Sequence, residues 1–300
     1  CHSFLGVYHI TSKTKLKFLF MNNSTCSFFT SSKKAFKNYV VLCGLLMSSS
    51  LSFGQIFNQN FTSSTTLSDY VSTTPNNGQF NAISTSGAGT VISINTTGGN
   101  KLRFARTGNA GTYSRTTDFS PVPTSMIYKF DLTVSGNNAA QTTAAVWQVG
   151  DGFGTANSSE TNANTHSRIG LNLTATNGQF SIRDLGASNN TTNFTGTQSI
   201  TWVINNSGAT LSYTAPDGTT ESVANDRFDL WIGSTKAFDE RSAETATKTL
   251  SDLKFAFSTG NATIDIDNIN ITTISSAITS TASGNWSNTA TWSGGVVPTS

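Results

Sequence analysis

Apolar and polar residues alternate in short runs along much of this chain, and that alternation limits the fold more than any other feature. In the clearest run, residues 126–134, Met126 and Phe130 share one phase while Lys129 and Asp131 share the other. Successive side chains of a strand point to opposite faces, so the pattern predicts a half-buried β-strand. Similar runs, separated by Gly, Asn and Pro turn signals, recur along the chain. They predict an all-β protein, an antiparallel β-sandwich.

The strand runs follow one another without interruption from residue 57 to residue 274, which predicts a single domain over residues 55–275. The Asn177-Gly178 pair lies between two apolar runs and predicts a β-hairpin. Helix-forming residues are scarce, because charged residues make up only 11% of the chain. The single candidate helix is residues 239–249, predicted as a short turn-like element on a connection.

The last strand changes phase in its middle. Ile264 and Ile266 are at even positions, whereas Ile269 and Ile271 are at odd positions. A regular strand would turn one of these pairs into water, so the sequence predicts a β-bulge at residues 267–268, which restores one apolar face.

The N-terminal region has the three parts of a secretory signal peptide in order. Lys33, Lys34 and Lys37 precede an apolar run at residues 39–47, and small residues follow up to Gly54. We expect residues 21–54 to be the signal peptide and the mature chain to begin at Gln55. Residues 1–20 carry no pattern and are expected to be upstream sequence. The mature protein is therefore predicted to be secreted or on the cell surface, without a membrane span.

Without residues 1–54 the chain has a different composition, and this composition limits its possible functions. All three cysteines lie within this segment, so no disulfide can hold the predicted domain together. Six of the 18 Lys and Arg residues lie there too, which leaves 12 against 16 Asp and Glu and a net charge of −4. This balance argues against nucleic acid as a partner.

Beyond residue 275 the composition shifts to Ser and Thr. Two Trp-containing motifs follow, Gly284-Asn285-Trp286 and Trp292-Ser293-Gly294. We expect residues 276–300 to be a linker and the truncated start of a second β domain.

Four runs within the predicted domain together resemble one family: residues 200–206, 213–218, 228–233 and 266–269. Over about residues 126–274 the chain is similar to concanavalin A-like, laminin-G-like sandwich domains of large Bacteroidetes-type surface proteins. The resemblance implies a jelly-roll sandwich in a longer secreted or cell-surface protein, and says little about the ligand. Similar sandwiches often hold calcium near the final strand, where Asp265 and Asp267 offer oxygen ligands.

The chain lacks the residues of the common catalytic sites. His166 is the only histidine after the predicted signal peptide, and no thiol accompanies it, so neither a nucleophilic site nor a zinc site can be assembled. We interpret His166 as a solvated residue of the polar loop 157–167. The Glu-x-Asp-x-x-Glu pattern of concanavalin A-like glycoside hydrolases is absent as well. The sequence predicts that the domain is not an enzyme.

Sugar binding requires aromatic rings that stack on the pyranose and planar polar groups that pair with its hydroxyls. Trp202 shares its phase with apolar neighbours and is predicted in the core, whereas Trp231 and Asp229 are predicted to face outward. Arg168 and Arg183 also occupy the phase opposite to their apolar neighbours. If their strands share a sheet, these four residues form a ligand-binding face. The alternative is that Trp231 covers the outer sheet and the arginines pair with carboxylates.

Three functions agree with these features. A non-catalytic extracellular module that binds polysaccharide or cell-surface glycan is favoured by the outward aromatic and arginine residues. A structural or adhesive spacer is favoured by the Ser/Thr-rich linker. A divergent polysaccharide-degrading domain ranks third, because its carboxylate pattern is missing.

Overall fold

The computed structural model describes residues 54–274, together with Ser287 and Asn288. Apart from Gly54 and these two residues, the predicted signal peptide and the predicted C-terminal linker lie outside the described residues. Within the described part, no helix is long and apolar enough to cross a membrane.

Two antiparallel sheets face each other, as the strand pattern predicted. Sheet 1 has eight strands, and seven of them form the order β15-β14-β11-β6-β17-β4-β3. The eighth, β1, pairs with β17. In chain order, the strands of sheet 1 are β1 (Gln55–Gln59), β3 (Thr90–Asn95), β4 (Lys101–Arg106), β6 (Ser125–Ser135), β11 (Gln198–Asn205), β14 (Arg227–Ile232), β15 (Thr235–Ser242) and β17 (Ala262–Thr272).

Sheet 2 has seven strands in the order β10-β9-β8-β7-β16-β5-β2. Two short 3₁₀ helices, Leu67–Tyr70 and Asn162–Asn164, lie in connections. The strands are β2 (Ala82–Thr85), β5 (Gly111–Arg115), β7 (Gln141–Gly150), β8 (Thr165–Leu173), β9 (Phe180–Asp184), β10 (Asn189–Asn190) and β16 (Asp252–Phe257). The predicted all-β, antiparallel sandwich is confirmed, as is the hairpin at residues 177–178, which joins β8 to β9.

The core lies between the sheets and is rich in aromatic rings. Trp202 of β11 is fully buried and stacks near Tyr128 of β6, which confirms its predicted place in the core. Trp147 of β7 packs against Phe130 from the opposite sheet, with ring centroids 5.0 Å apart. Aromatic side chains bury large apolar areas, so this core can stabilise residues 54–274, which contain no cysteine.

The predicted β-bulge in β17 is confirmed. Its register with β6 slips between Asp267 and Asn270, and Asn268 has a positive φ of 50°. Ile266 and Ile269, on either side of the slip, are both fully buried. The extra residue therefore keeps both halves of the strand facing the core.

The last strand also lies inside sheet 1 and not at its edge. β17 pairs with β6 on one side, and on the other with β4 over residues 262–266 and with β1 over residues 269–272. Gln55 lies opposite Thr272, so the first and last strands of the domain are neighbours.

A two-stranded hairpin, β12 (Leu211–Thr214) and β13 (Thr220–Val223), covers part of the outer face of sheet 1. Tyr213 and Val223 of the hairpin form a second apolar cluster with Val203 and Trp231 of the sheet. This cluster is separate from the main core, because its side chains point away from sheet 2.

The candidate element at residues 239–249 forms no helix: its first four residues belong to β15, whereas the turn-like structure predicted on the connection is present after them. Strand β15 continues to Ser242 and pairs with β14, and the residues after it form turns. The Glu- and Ala-rich composition is tolerated because β15 is an edge strand, where polar residues face water and the unpaired edge is protected by charge.

Candidate ligand-binding cleft

Asp229 and Trp231 point away from the main core, as their phase predicted, but they are not exposed. The relative exposure is 0% for Asp229 and 2% for Trp231, because the β12–β13 hairpin lies over both. The expectation that they form an open binding surface is therefore wrong. The alternative interpretation of Trp231, as a residue that covers the outer sheet, agrees with the structure.

A hydrogen-bond network fastens the hairpin to the sheet. The Trp231 Nε1–H donates to the Tyr213 hydroxyl at 2.9 Å, and that hydroxyl donates to Asp229 Oδ2 at 2.6 Å. Asp229 Oδ1 accepts the backbone N–H of Glu240 at 2.7 Å. Lys236 Nζ lies 2.9 Å from the same carboxylate. The buried charge of Asp229 is thus both paired and hydrogen-bonded, which burial requires.

Lys236 joins three carboxylates at this point. Burial alone would lower its pKa, but hydrogen bonds to Asp239, Asp229 and Glu221 raise the pKa above its ordinary value. Burial also raises the pKa of the Tyr213 hydroxyl, and its bond to Asp229 adds to that effect. Lys236 and Tyr213 therefore both keep their protons at neutral pH.

Arg168 and Arg183 do not join Asp229 and Trp231. The arginines lie on β8 and β9 of sheet 2, whereas the other two residues lie on β14 of sheet 1. Arg168 Nε donates to Glu244 at 2.9 Å, and Arg183 Nη1 donates to Asn190 at 3.1 Å. The four predicted residues therefore cannot form one surface.

Aromatic stacking on a sugar is not available in the described part of the chain. Every aromatic residue between positions 54 and 274 is buried, except Phe194, which is half-buried. The exposed large apolar side chains of this region are Val91 and Val122. A ligand of this region must therefore be held by polar groups.

A cleft of about 390 Å³ lies on the side where β15 and the β9–β10 turn border the sandwich. We call it the edge cleft. Its lining is mostly polar, with guanidinium groups from sheet 1 and carboxylate groups from both sheets. The lining residues are Asp184, Gly186, Ala187, Arg227, Glu240, Arg241, Ser242, Ala243 and Glu244.

A second bulge directs Arg241 into the edge cleft. Phe228 and Leu230 of β14 pair with Arg241 and Phe238 of β15, so two residues of β15 lie opposite one of β14. Glu240 adopts a left-handed φ of 51° at this point, a conformation that is uncommon for a residue with a Cβ. Because paired residues share a face, Arg241 points the same way as Phe228, toward sheet 2.

Arg241 meets Asp184 at the mouth between the sheets. Its Nε lies 3.5 Å from Asp184 Oδ2, and its guanidinium lies over the Phe238 ring, 5.4 Å from the centroid. Asp184 Oδ1 accepts the backbone N–H groups of Gly186 and Ala187, at 3.0 and 3.2 Å. The sequence analysis missed this ion pair between Arg241 and Asp184. The sequence of β15 shows no shift in the alternation of apolar residues that would have indicated it.

His166 is not a solvated loop residue. It lies in β8 and is fully buried, because the segment after β15 crosses over it and Glu244 N–H donates to its carbonyl oxygen. Its Nδ1 is 2.9 Å from Ser167 Oγ, and its Nε2 is 3.9 Å from Asp226. Burial lowers the pKa of His166 to about 4, against a smaller opposing effect of Asp226. The imidazole is therefore neutral at neutral pH.

We expect the stability advantage of wild type over His166→Gln to shrink as the pH falls from 6.5 to 4. The folded protein keeps His166 neutral, whereas the unfolded chain binds a proton below about pH 6.5. A shift from 6.5 to about 4 corresponds to about 3 kcal/mol of unfolding free energy, which is present above pH 6.5 and lost by pH 4.

Urea unfolding of both proteins across this pH range measures the difference. The comparison is needed because burial raises the pKa of Asp252 to about 6, which changes the stability of both proteins in the opposite direction. A difference that is constant with pH would mean that His166 is not buried in neutral form.

Asp265 and Asp267, the predicted calcium ligands, lie in a smaller groove of about 230 Å³ on the outer face of sheet 1. Arg103 binds both oxygens of Asp265, at 2.7 Å each, and so occupies the position that a cation would need. Burial raises the pKa of Asp267, and nearby Asp131 raises it further. No group of three metal-binding side chains occurs among the described residues. Asp265 therefore does not fit the calcium prediction.

No family model and no curated protein matches this chain. Among solved structures, it is similar to the exoplasmic/lumenal domain of VIP36 in its Ca²⁺/Man3GlcNAc-bound form, with 10% identity and a TM-score of 0.37 over 67% of this chain and 88% of that one. A protein of unknown function with a galectin-like fold from Bacillus subtilis has 7% identity and a TM-score of 0.41, over 73% and 96%. The T. cruzi calreticulin globular domain has 10% identity and a TM-score of 0.39, over 72% and 87%. At these values the neighbours do not identify the ligand of this chain.

Proposed function

We propose that the described domain is a non-catalytic, extracellular module that binds glycan in the edge cleft. The observation that supports this most is the set of planar charged groups, from both sheets, around one cleft of about 390 Å³. Small-ligand sites typically have volumes of roughly 300 to 1,000 Å³. Guanidinium and carboxylate groups are planar and bind neighbouring hydroxyls in pairs, which suits a polyhydroxylated ring better than an apolar ligand.

The absence of exposed rings in the described part limits the affinity that we expect. A stacked aromatic ring contributes on the order of 1 kcal/mol, and the edge cleft has none. A single domain should therefore bind an oligosaccharide with a Kd of about 1 mM, or about −4 kcal/mol. Several copies on one surface would raise the avidity.

The non-catalytic part of the proposal is supported by the state of the acidic and basic groups. His166 is buried and neutral, and it does not line the edge cleft. Glu244 is held by Asn162 and Arg168, and Glu240 accepts the backbone N–H of Ala224. Carboxylates engaged in this way are less available as a general acid and nucleophile.

A structural or adhesive spacer is the second candidate, and one observation favours it. Trp231 and Asp229, the most ligand-like residues of the sequence, are used to fasten the β12–β13 hairpin. A spacer needs a stable domain and no cleft, so cleft variants separate the two functions.

We expect Ala187→Trp to abolish glycan binding and Ala139→Trp to leave it unchanged. Ala187 is exposed on the lining of the edge cleft, whereas Ala139 is exposed in the turn between β6 and β7, outside the lining. The large ring fills the cleft in the first variant only. Glycan-array binding, followed by calorimetry with the oligosaccharides that bind, measures the effect.

Equal unfolding midpoints of the two variants would show that neither ring disturbs the fold. Binding that survives Ala187→Trp would exclude the edge cleft as the site. The failure of wild type to bind any glycan would favour the spacer, and release of reducing ends from a polysaccharide would contradict the non-catalytic proposal.

A further inference from the structure

The cationic groups of the edge cleft have more hydrogen-bond capacity than their partners use. Arg241 is the clearest case, because its Nε is buried and has no hydrogen-bond partner among the described residues. Asp184 Oδ2 is 3.5 Å away, which is too long for a good hydrogen bond. Between residues 54 and 274, no hydrogen bond is formed by its terminal nitrogens either. About a third of the side chain is open to solvent, at 33% relative exposure.

Arg227 adds a second guanidinium on the same cleft. Its Nη1 donates to the carbonyl oxygen of Glu240 at 3.3 Å and to Ser242 Oγ at 2.6 Å. These bonds anchor one corner of the group. A guanidinium has five N–H donors, so most of the donors of Arg227 remain available to a ligand.

The carboxylates around the cleft are in the opposite condition, because each already has donors. Asp184 accepts two backbone N–H groups, and Glu240 accepts one with both of its oxygens. Glu244 accepts from Asn162 and from Arg168. If Arg168 is counted with Arg227 and Arg241, the positive groups here equal the three carboxylates in number. The hydrogen-bonding groups without a partner are, however, mainly those of Arg227 and Arg241.

We infer that the edge cleft binds glycans that carry a carboxylate, that is, uronate-containing oligosaccharides, with the sugar carboxylate on Arg241 and Arg227. This inference rests on the proposed function. A carboxylate matches the planar fork of a guanidinium and forms short, charge-assisted hydrogen bonds, which a neutral hydroxymethyl group cannot replace. The contact of Arg241 with Phe238 and Asp184 holds its guanidinium at the mouth of the cleft before the ligand arrives.

The test compares uronate oligomers of several sugars, each with its methyl ester, by calorimetry with the full chain. Esterification removes the charge of the carboxylate and keeps the sugar backbone. We expect each bound uronate oligomer to lose about tenfold or more in affinity when it is esterified, the usual effect of one charge-assisted hydrogen bond. The affinity for the acid form should also fall as salt is raised, because the contact is partly exposed.

Two arginine substitutions and a matched control assign the effect to residues. Arg241→Gln and Arg227→Gln should each remove most of the preference for the acid over the ester. Arg183→Gln should retain the preference, because Arg183 is on the neighbouring strand β9 but donates to Asn190 and does not line the cleft. Arg227 is exposed, so its variant tests the inference even if Arg241→Gln lowers the stability of the fold.

The outcomes separate this inference from the proposed function. Equal binding of acid and ester, or binding of neutral glycans alone, would overturn the uronate inference and leave glycan binding in place. No binding of any glycan would overturn both. A preference for the acid that persists in both arginine variants would overturn the assignment to Arg241 and Arg227.

Discussion

Trp231→Ala is expected to lower the free energy of unfolding by about 3 to 5 kcal/mol, the usual cost of truncating a buried Trp to Ala. The indole is nearly inaccessible and packs with Val203, Tyr213 and Val223. Its loss leaves a cavity between the hairpin and sheet 1 and removes the hydrogen bond to Tyr213. Denaturant unfolding at equilibrium, with the slope m compared between variants, measures the change.

Two further variants divide this effect into packing and hydrogen bonding. Trp231→Phe keeps most of the apolar contact and loses the N–H, so we expect a loss of about 1 kcal/mol from the hydrogen bond. Val91→Ala, at a position that is 65% exposed, should change stability by less than about 0.5 kcal/mol. A Trp231→Ala protein as stable as wild type would mean that the hairpin does not cover the sheet.

Asp229→Ala is expected to cost about 3 to 5 kcal/mol, because it removes the buried partner of Lys236 and leaves two donors without their acceptor. The Tyr213 hydroxyl and the Glu240 N–H would lose their acceptor, and Lys236 would lose its buried counter-charge. The hairpin would then be fastened mainly by apolar contact. Thermal and urea unfolding report the loss.

Asp239 provides a matched control, because it contacts the same Lys236 from a side chain that is 66% exposed. Asp239→Ala should cost less than about 1 kcal/mol, as is usual for exposed ion pairs. Asp229→Asn should fall between the two, since the amide oxygen can still accept one hydrogen bond. If Asp229→Ala and Asp239→Ala have equal effects, the buried network does not stabilise the hairpin.

Residue phase predicted the direction of side chains well and their exposure poorly. The slip between Ile266 and Ile269 identified the bulge in β17, because apolar residues had to stay on one face. The same reasoning placed Trp202 in the core and turned Trp231 away from it. Phase contains no information about a second layer, so the hairpin that covers Trp231 could not be predicted from the strand that holds it.

The edge cleft was missed for a related reason. The orientation of Arg241 depends on the bulge at Glu240. A bulge can be recognised in a sequence only when buried apolar residues lie on both sides of it, and in β15 Phe238 is the one buried residue. His166 was misplaced because its neighbours are polar, although loops from both sheets bury them. Polar strands at the rim of a sandwich are buried by segments that are distant in sequence, so the local sequence pattern does not predict their burial.

The position of β17 has a consequence for the order of folding. Among the described strands β17 is made last, yet it pairs with β6, β4 and β1. Strand β1 has no other partner there, so Gln55 must wait for Thr272. Contacts of such long sequence separation are slow to form, because the entropy of loop closure is lost before the pairing compensates it. Sheet 1 therefore cannot be completed during synthesis until residues 262–272 have emerged from the ribosome, and β1 stays without its partner strand until then.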